Sequence, residues 1–196
     1  MKIILASSSP RRRDIMEQVG IPFEVRVSEV DENIGIKKPA LLVKALSKLK
    51  AMAVLKEIIK EDKNAEFAVI GADTVVALGD EILGKPKDDT DAKRMIKAQS
   101  GQKSAVYTGV TVLIRKDGKT VRETFAVKTK IEMAEISEDC IDTYIASGES
   151  RDKAGAYGIQ GRFAQYVKKI EGDYYNIVGF PICPIADCLR RYGVIE

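Results

Sequence analysis

Histidine and tryptophan are absent from this 196-residue chain, and cysteine occurs only three times. Without histidine there is no Ser-His-Asp or Cys-His nucleophile and no His-ligated metal, so a general base must be a carboxylate, lysine, tyrosine or cysteine. Cys140, Cys183 and Cys188 are odd in number and lack paired metal-site spacing, which reads as three buried thiols. Net charge is only +3, although 31% of residues are charged. That balance gives no general basic field of the kind non-specific nucleic-acid binding needs, so nucleic acid is not expected as a partner. No apolar stretch approaches the ~20 residues that span a bilayer, and the strand-like N-terminus has no signal-peptide pattern. The expectation is a cytoplasmic protein with no membrane association.

The length suits one α/β domain or two closely packed lobes, and a single unit over residues 1–196 is expected. Ile3 to Ala6 reads as a strand, followed by a helix from Pro10 to Val19 that stops at Gly20. Phe23, Val25 and Val27 then alternate as a strand. Residues 39–60 form a long amphipathic helix whose apolar positions are Leu42, Leu46, Leu49, Met52 or Ala53, and Leu55 or Ile59. A short strand, Phe67 to Gly71, ends at Ala72-Asp73-Thr74, and a hairpin turns at Gly79-Asp80. After a helix over 88–99, Val106 to Ile114 and Val121 to Met133 read as strands around Asp117-Gly118. Glu138 to Ala146 is helical, Gly155 to Gly161 a loop, Tyr166 to Ile170 and Tyr175 to Val178 strands, and Pro184 to Tyr192 a closing helix. Helices and strands mix without strict βαβ repetition, which predicts an α/β fold with a mixed twisted sheet and flanking helices.

Several segments have chemistry to offer. Ser7-Ser8-Ser9-Pro10-Arg11-Arg12-Arg13 lies where the first strand gives way to a helix, a place where free backbone N–H groups and guanidinium forks can hold phosphate. The same residues also make a Ser N-cap, Pro at the first helical position and solvated arginines. Gly79 to Lys85 satisfies G-x-x-x-x-G-K, but Pro86 stands where a P-loop needs Ser or Thr, and the glycine lies in a hairpin rather than before a helix; the P-loop is rejected. Lys85 is either a turn lysine in water or a phosphate ligand. Asp73, after an apolar strand, is either a turn residue or a group facing a crevice. Glu32, also after a strand, could share a divalent ion with Asp73, because hard cations favour one or two carboxylates plus substrate phosphates. Lys50 on the long helix is not singled out by its position.

Together, Leu5 to Arg12, Val30-Asp31-Glu32, Lys50-Ala51, Gly71 to Thr74, Gly84-Lys85-Pro86, Ser100-Gly101 with Tyr107 to Val110, and Asp152 to Gly161 resemble the Maf family of nucleoside triphosphate pyrophosphatases over essentially the whole chain. The resemblance implies an inosine-triphosphatase-like fold with two lobes about a central cleft, a homodimer, and hydrolysis between the α and β phosphates to a monophosphate and pyrophosphate. It implies Asp73 as proton acceptor, with Ser9, Arg12, Glu32, Lys50 and Lys85 lining the phosphate and metal site, Ser7 also at the substrate, and Mg²⁺ or Mn²⁺ on Glu32 and Asp73. Arg11, Thr74 and Gln160 resemble the branch acting on dTTP and UTP; the 7-methyl-GTP branch carries Trp, Gln and Glu there. A carboxylate suits a cationic methylated purine, whereas Gln suits a neutral pyrimidine edge. Ser104 stands where many relatives have His, and Arg13 adds a third arginine. A 7-methyl-GTP pyrophosphatase, or a nucleotide- or DNA-binding regulator of septum formation, are the alternatives.

Overall fold

The opening apolar run forms the strand its pattern requires, β1 (Lys2–Ala6), and Pro10 starts α1 (Pro10–Gln18) in a computed structural model that describes residues 1–27 and 29–196. The chain continues through β2 (Glu24–Val25), α2 (Pro39–Glu61), β3 (Phe67–Leu78), β4 (Glu81–Leu83), α3 (Asp89–Gln99), β5 (Lys103–Lys116) and β6 (Lys119–Met133). It ends with α4 (Glu138–Ala146), 3₁₀ turns at Ala154–Ala156 and Arg162–Tyr166, β7 (Val167–Glu171), α5 (Tyr174–Val178) and α6 (Ile182–Arg191). The strands form one seven-stranded sheet in the order β2-β1-β3-β5-β6-β7, with β4 also on β3. It is mixed: β1 runs parallel to β2 and β3, whereas β3/β4 and β6/β7 are antiparallel. Between β5 and β6, Asp117 and Gly118 both take positive φ, 49° and 72°, as a tight hairpin turn matched to strand twist demands.

The residues group into two compact units, one of 1–73, 108–127 and 179–196 and the other of 74–107 and 128–178. The first has a core of Ile4, Ala6, Phe67, Val69 and Leu113 packed under Ala51, Val54, Leu55 and Ile58 of α2. The second gathers Val76, Leu83, Met95, Ile96, Ile131, Ile141, Tyr144, Tyr157 and Phe163.

Several local expectations are corrected. β3 does not stop before Asp73 but runs through it for 12 residues, because Ala72-Asp73-Thr74 stays extended. Its pairing with β1 ends at Gly71, and its pairing with β4 begins at Val76, so Asp73 lies between two ladders rather than beyond a strand end. The Phe23-Val25-Val27 alternation yields only the two-residue β2, with Val25 and Val27 exposed. Tyr175 to Val178 is helical rather than extended, since the Asp173 carboxylate accepts the Tyr175 N–H at 2.8 Å and starts a turn. Cys140 and Cys183 are exposed, and only Cys188 is buried; all three are free thiols.

The buried face of α2 keeps Leu46 and Leu55 of the expected stripe and adds residues outside it. Of the stripe Leu49 is exposed, while Val43, Ser47, Ala51, Val54 and Ile58 are also inside. Two glycines explain the additions. A Cβ on Gly71 would overlap the Ser47 carbonyl and come within 2.9 Å of Ala51, and one on Gly109 would overlap the Val43 carbonyl. The helix therefore sets its own backbone, at Val43, Ser47 and Ala51, directly against β3 and β5 where these glycines leave room.

Candidate active site

In the first unit the segment after β1 folds back on itself. Ser7 is buried, and its Oγ accepts the Ser9 N–H at 3.3 Å and an Nη1 hydrogen of Arg12 at 2.7 Å. Ser9 holds the N-cap position of α1, but its side chain makes no capping bond. Arg12, one turn into the helix, is 8% exposed and is fixed by carbonyls as well: Nε donates to Gly179 O at 2.8 Å and Nη1 to Ala72 O at 2.9 Å. Ala72 is the first residue past the β1 ladder, so its carbonyl is available to a guanidinium. Gly179 presents its own with φ +105°, a conformation natural only to glycine. Burial brings the Arg12 pKa down to about 10; Asp73 and Glu32 oppose the shift and Arg11 adds to it.

Close seating of α2 on Gly71 brings Lys50 to the same strand. Its Nζ lies 2.6 Å from Asp73 Oδ1 and 2.9 Å from Glu32 Oε1, an ammonium between two carboxylates. Asp73 is 10% exposed at its side chain and Glu32 58%, so one carboxylate is enclosed and the other open to solvent. Ser7, Ser9, Arg12, Glu32, Lys50 and Asp73 thus form one neighbourhood. Arg11 is half-buried beside it.

The remaining candidates belong to the second unit. Thr74 is half-buried on β3. Lys85 is exposed in the turn after β4, and that turn is tied to the segment leading to Gln160, because Gly84 O accepts the Gly155 N–H at 3.0 Å. Gln160 is exposed at the tip of its loop. Sequence reasoning missed the carbonyls of Ala72 and Gly179 and the seating glycines Gly71 and Gly109. Gly179 ahead of Phe180-Pro181 was the readable signal of a special backbone conformation.

Chemically, the first unit offers a carboxylate oriented by an ammonium, a buried guanidinium on fixed carbonyls, and a second carboxylate at the rim. Among the described residues no cluster of three or more metal-ligating side chains exists. Asp73 and Glu32 both meet the Lys50 ammonium, and a pair of carboxylates is the set of hard donors a small divalent cation takes when phosphate oxygens and water complete its shell.

The architecture is that of the Ham1 class of α/β proteins. The Staphylococcus aureus Ham1 structure superposes with a TM-score of 0.55 at 13% identity, covering 98% of this chain and 100% of that one. Within that fold, residues 2–192 match the Maf-like protein family, and the chain belongs to it. It is 47% identical to the dTTP/UTP pyrophosphatase of Agathobacter rectalis over 98% of both chains. It is 45% identical to that of Bacillus thuringiensis subsp. konkukian over 98% of this chain and 96% of the other.

Proposed function

We propose that this protein hydrolyses dTTP and UTP between the α and β phosphates, releasing the monophosphate and pyrophosphate. The observation that carries the reading is Lys50 held between Asp73 and Glu32 beside the anchored Arg12, within a chain 47% identical to a dTTP/UTP pyrophosphatase. Asp73 serves as the base. Its Oδ1 is occupied by Lys50, which fixes the carboxylate plane and leaves the other oxygen to accept a proton from water. Lys50 and Arg12 supply positive charge against oxygens that grow more negative in the transition state. Arg12 does this from carbonyl anchors, so little reorganisation is needed when charge develops.

In the same reading Glu32 and Asp73 hold Mg²⁺ or Mn²⁺, which neutralises phosphate charge when bound. Ser9 and Lys85 contact the phosphates, and Arg11, Thr74 and Gln160 select the base. Ser7, being buried and engaged by Arg12 and the Ser9 N–H, acts through them. Clearing unwanted pyrimidine triphosphates from a cytoplasmic pool is the role this activity serves. Incubation with a panel of triphosphates and Mg²⁺ tests it: pyrophosphate release from dTTP and UTP, lost in Asp73→Asn, is expected, and orthophosphate release or an inert protein would overturn it.

A further inference from the structure

The loop that carries Gln160 is held by three side chains from one stretch of the second unit. The Tyr144 hydroxyl, from α4, accepts the Gly158 N–H at 3.2 Å. Glu149, just past the end of α4, accepts the Arg162 N–H at Oε2, 3.0 Å away, and Arg162 Nε lies 3.6 Å from its Oε1. The same carboxylate occupies the space a Cβ on Gly161 would need. Lys153 closes the other side. Its Nζ donates to Glu149 O at 2.6 Å and to Asp152 Oδ1 at 2.7 Å, and its aliphatic stem lies flat against Gly158, where a Cβ would come within 2.7 Å of Cδ. Gln160 thus sits between two glycines, each covered by one of these side chains.

Such an arrangement is more than a surface ion pair. Exposed pairs contribute little, but here both charged groups bond to backbone and exclude alternative loop conformations. Gly158 and Gly161 are the residues with most conformational freedom in the loop, and each is fixed from outside by packing that only glycine permits. The Tyr144 hydroxyl remains protonated throughout the working range, because burial pushes its pKa up to about 12 against the opposing Gly158 bond.

We propose that Glu149 and Lys153 are positioning residues for base selection: they set the conformation of Gly158–Gly161 and so the place of the Gln160 amide. This rests on Gln160 reading the base, as in the proposed function. Neither residue touches the groups assigned to the phosphates, so losing them raises KM and erodes base preference while leaving kcat near its original value.

The experiment measures kcat and KM for UTP, dTTP, CTP and GTP in the full chain and its variants. Glu149→Leu is expected to raise KM for UTP and dTTP by about tenfold, the equivalent of one hydrogen bond to a charged group, and to narrow their advantage over CTP and GTP. Glu149→Gln, whose amide oxygen still accepts the Arg162 N–H, restores both. Gly161→Ala, which evicts the carboxylate, reproduces Glu149→Leu. Lys153→Met retains most of the stem over Gly158 and perturbs preference less than Lys153→Ala. An active parent whose variants keep its substrate ratios, or in which Glu149→Gln behaves like Glu149→Leu, overturns the inference and spares the function. A parent inert toward every triphosphate overturns both. Thermal melts accompany each variant, and a loss of kcat in proportion to folded fraction, with KM and ratios intact, counts against positioning.

Discussion

Replacing Gly71 by alanine adds a single methyl group, 2.9 Å from Ala51 Cβ and from Ala51 N, and overlapping the Ser47 carbonyl. Two of those three neighbours are helix backbone, so no side-chain rotation relieves them. The helix must lift from β3, at a cost of about 1–3 kcal/mol for an overpacked core. For a chain of this size each kcal/mol corresponds to roughly 2–4 °C, so calorimetry should show a fall of about 2–12 °C. Lys50 moves with the helix and leaves the 2.6 Å contact with Asp73. A displacement of about 1 Å in a catalytic arrangement can cost on the order of 100-fold in rate, and pyrophosphate release from UTP should fall by that order. Adding Ala51→Gly does not rescue the variant: it removes one methyl, leaves the backbone clash, and places glycine in a helix interior at about 1 kcal/mol. A Gly71→Ala protein that melts within about 1 °C of its parent with unchanged kcat/KM would refute the close-seating account.

Lys50→Met leaves Glu32 and the largely enclosed Asp73 facing each other with no cation between them. Turnover of dTTP is expected to drop by about 100-fold, within the range that positioned charge and proton transfer supply, and a loss below about threefold would contradict the role given to Lys50. Arg12→Lys forfeits the fork to Gly179 O, Ser7 Oγ and Ala72 O, and chemical denaturation should register a stability loss of about 2–3 kcal/mol from acceptors left without donors. Because burial holds Arg12 at about 10, its charge is complete below that pH and lost above it. Binding of an uncleavable UTP analogue should therefore weaken as pH rises through this range; equal affinity on both sides, in protein still folded by circular dichroism, would rule out a charge role.

Most of the strand and helix order was readable because hydrophobic period and punctuation agree: α3 and α4 begin within a residue of their expected starts, behind Asp88 and Ser137 caps. What escaped was set by tertiary contacts. The inward face of α2 is chosen by Gly71 and Gly109 on strands distant in sequence, which helical periodicity cannot see. Asp73 looked like a strand terminus because small and polar residues surround it, yet neighbouring ladders keep it extended. The Arg12 segment was ambiguous between a helix cap and an anion site. The missing Ser9 capping bond weighs against a side-chain cap, and the carbonyl anchors that hold Arg12 come from residues 60 and 167 positions away. Lys153 lies in the Asp152–Gly161 element that carries the family resemblance but had no role of its own there, and Glu149 carried no signal beyond its closeness to that element.

The Gly179 carbonyl gives the protein an order of assembly. Arg12 and one of its anchors are separated by 167 residues. Closing so long a loop is entropically costly, so the guanidinium stays hydrated and unfixed until the long-range contacts of the fold are made. A chain truncated before residue 179 lacks the carbonyl that takes the Arg12 Nε hydrogen. The Arg12 arm of the site is therefore made by the tertiary fold rather than by the local segment that carries the arginine.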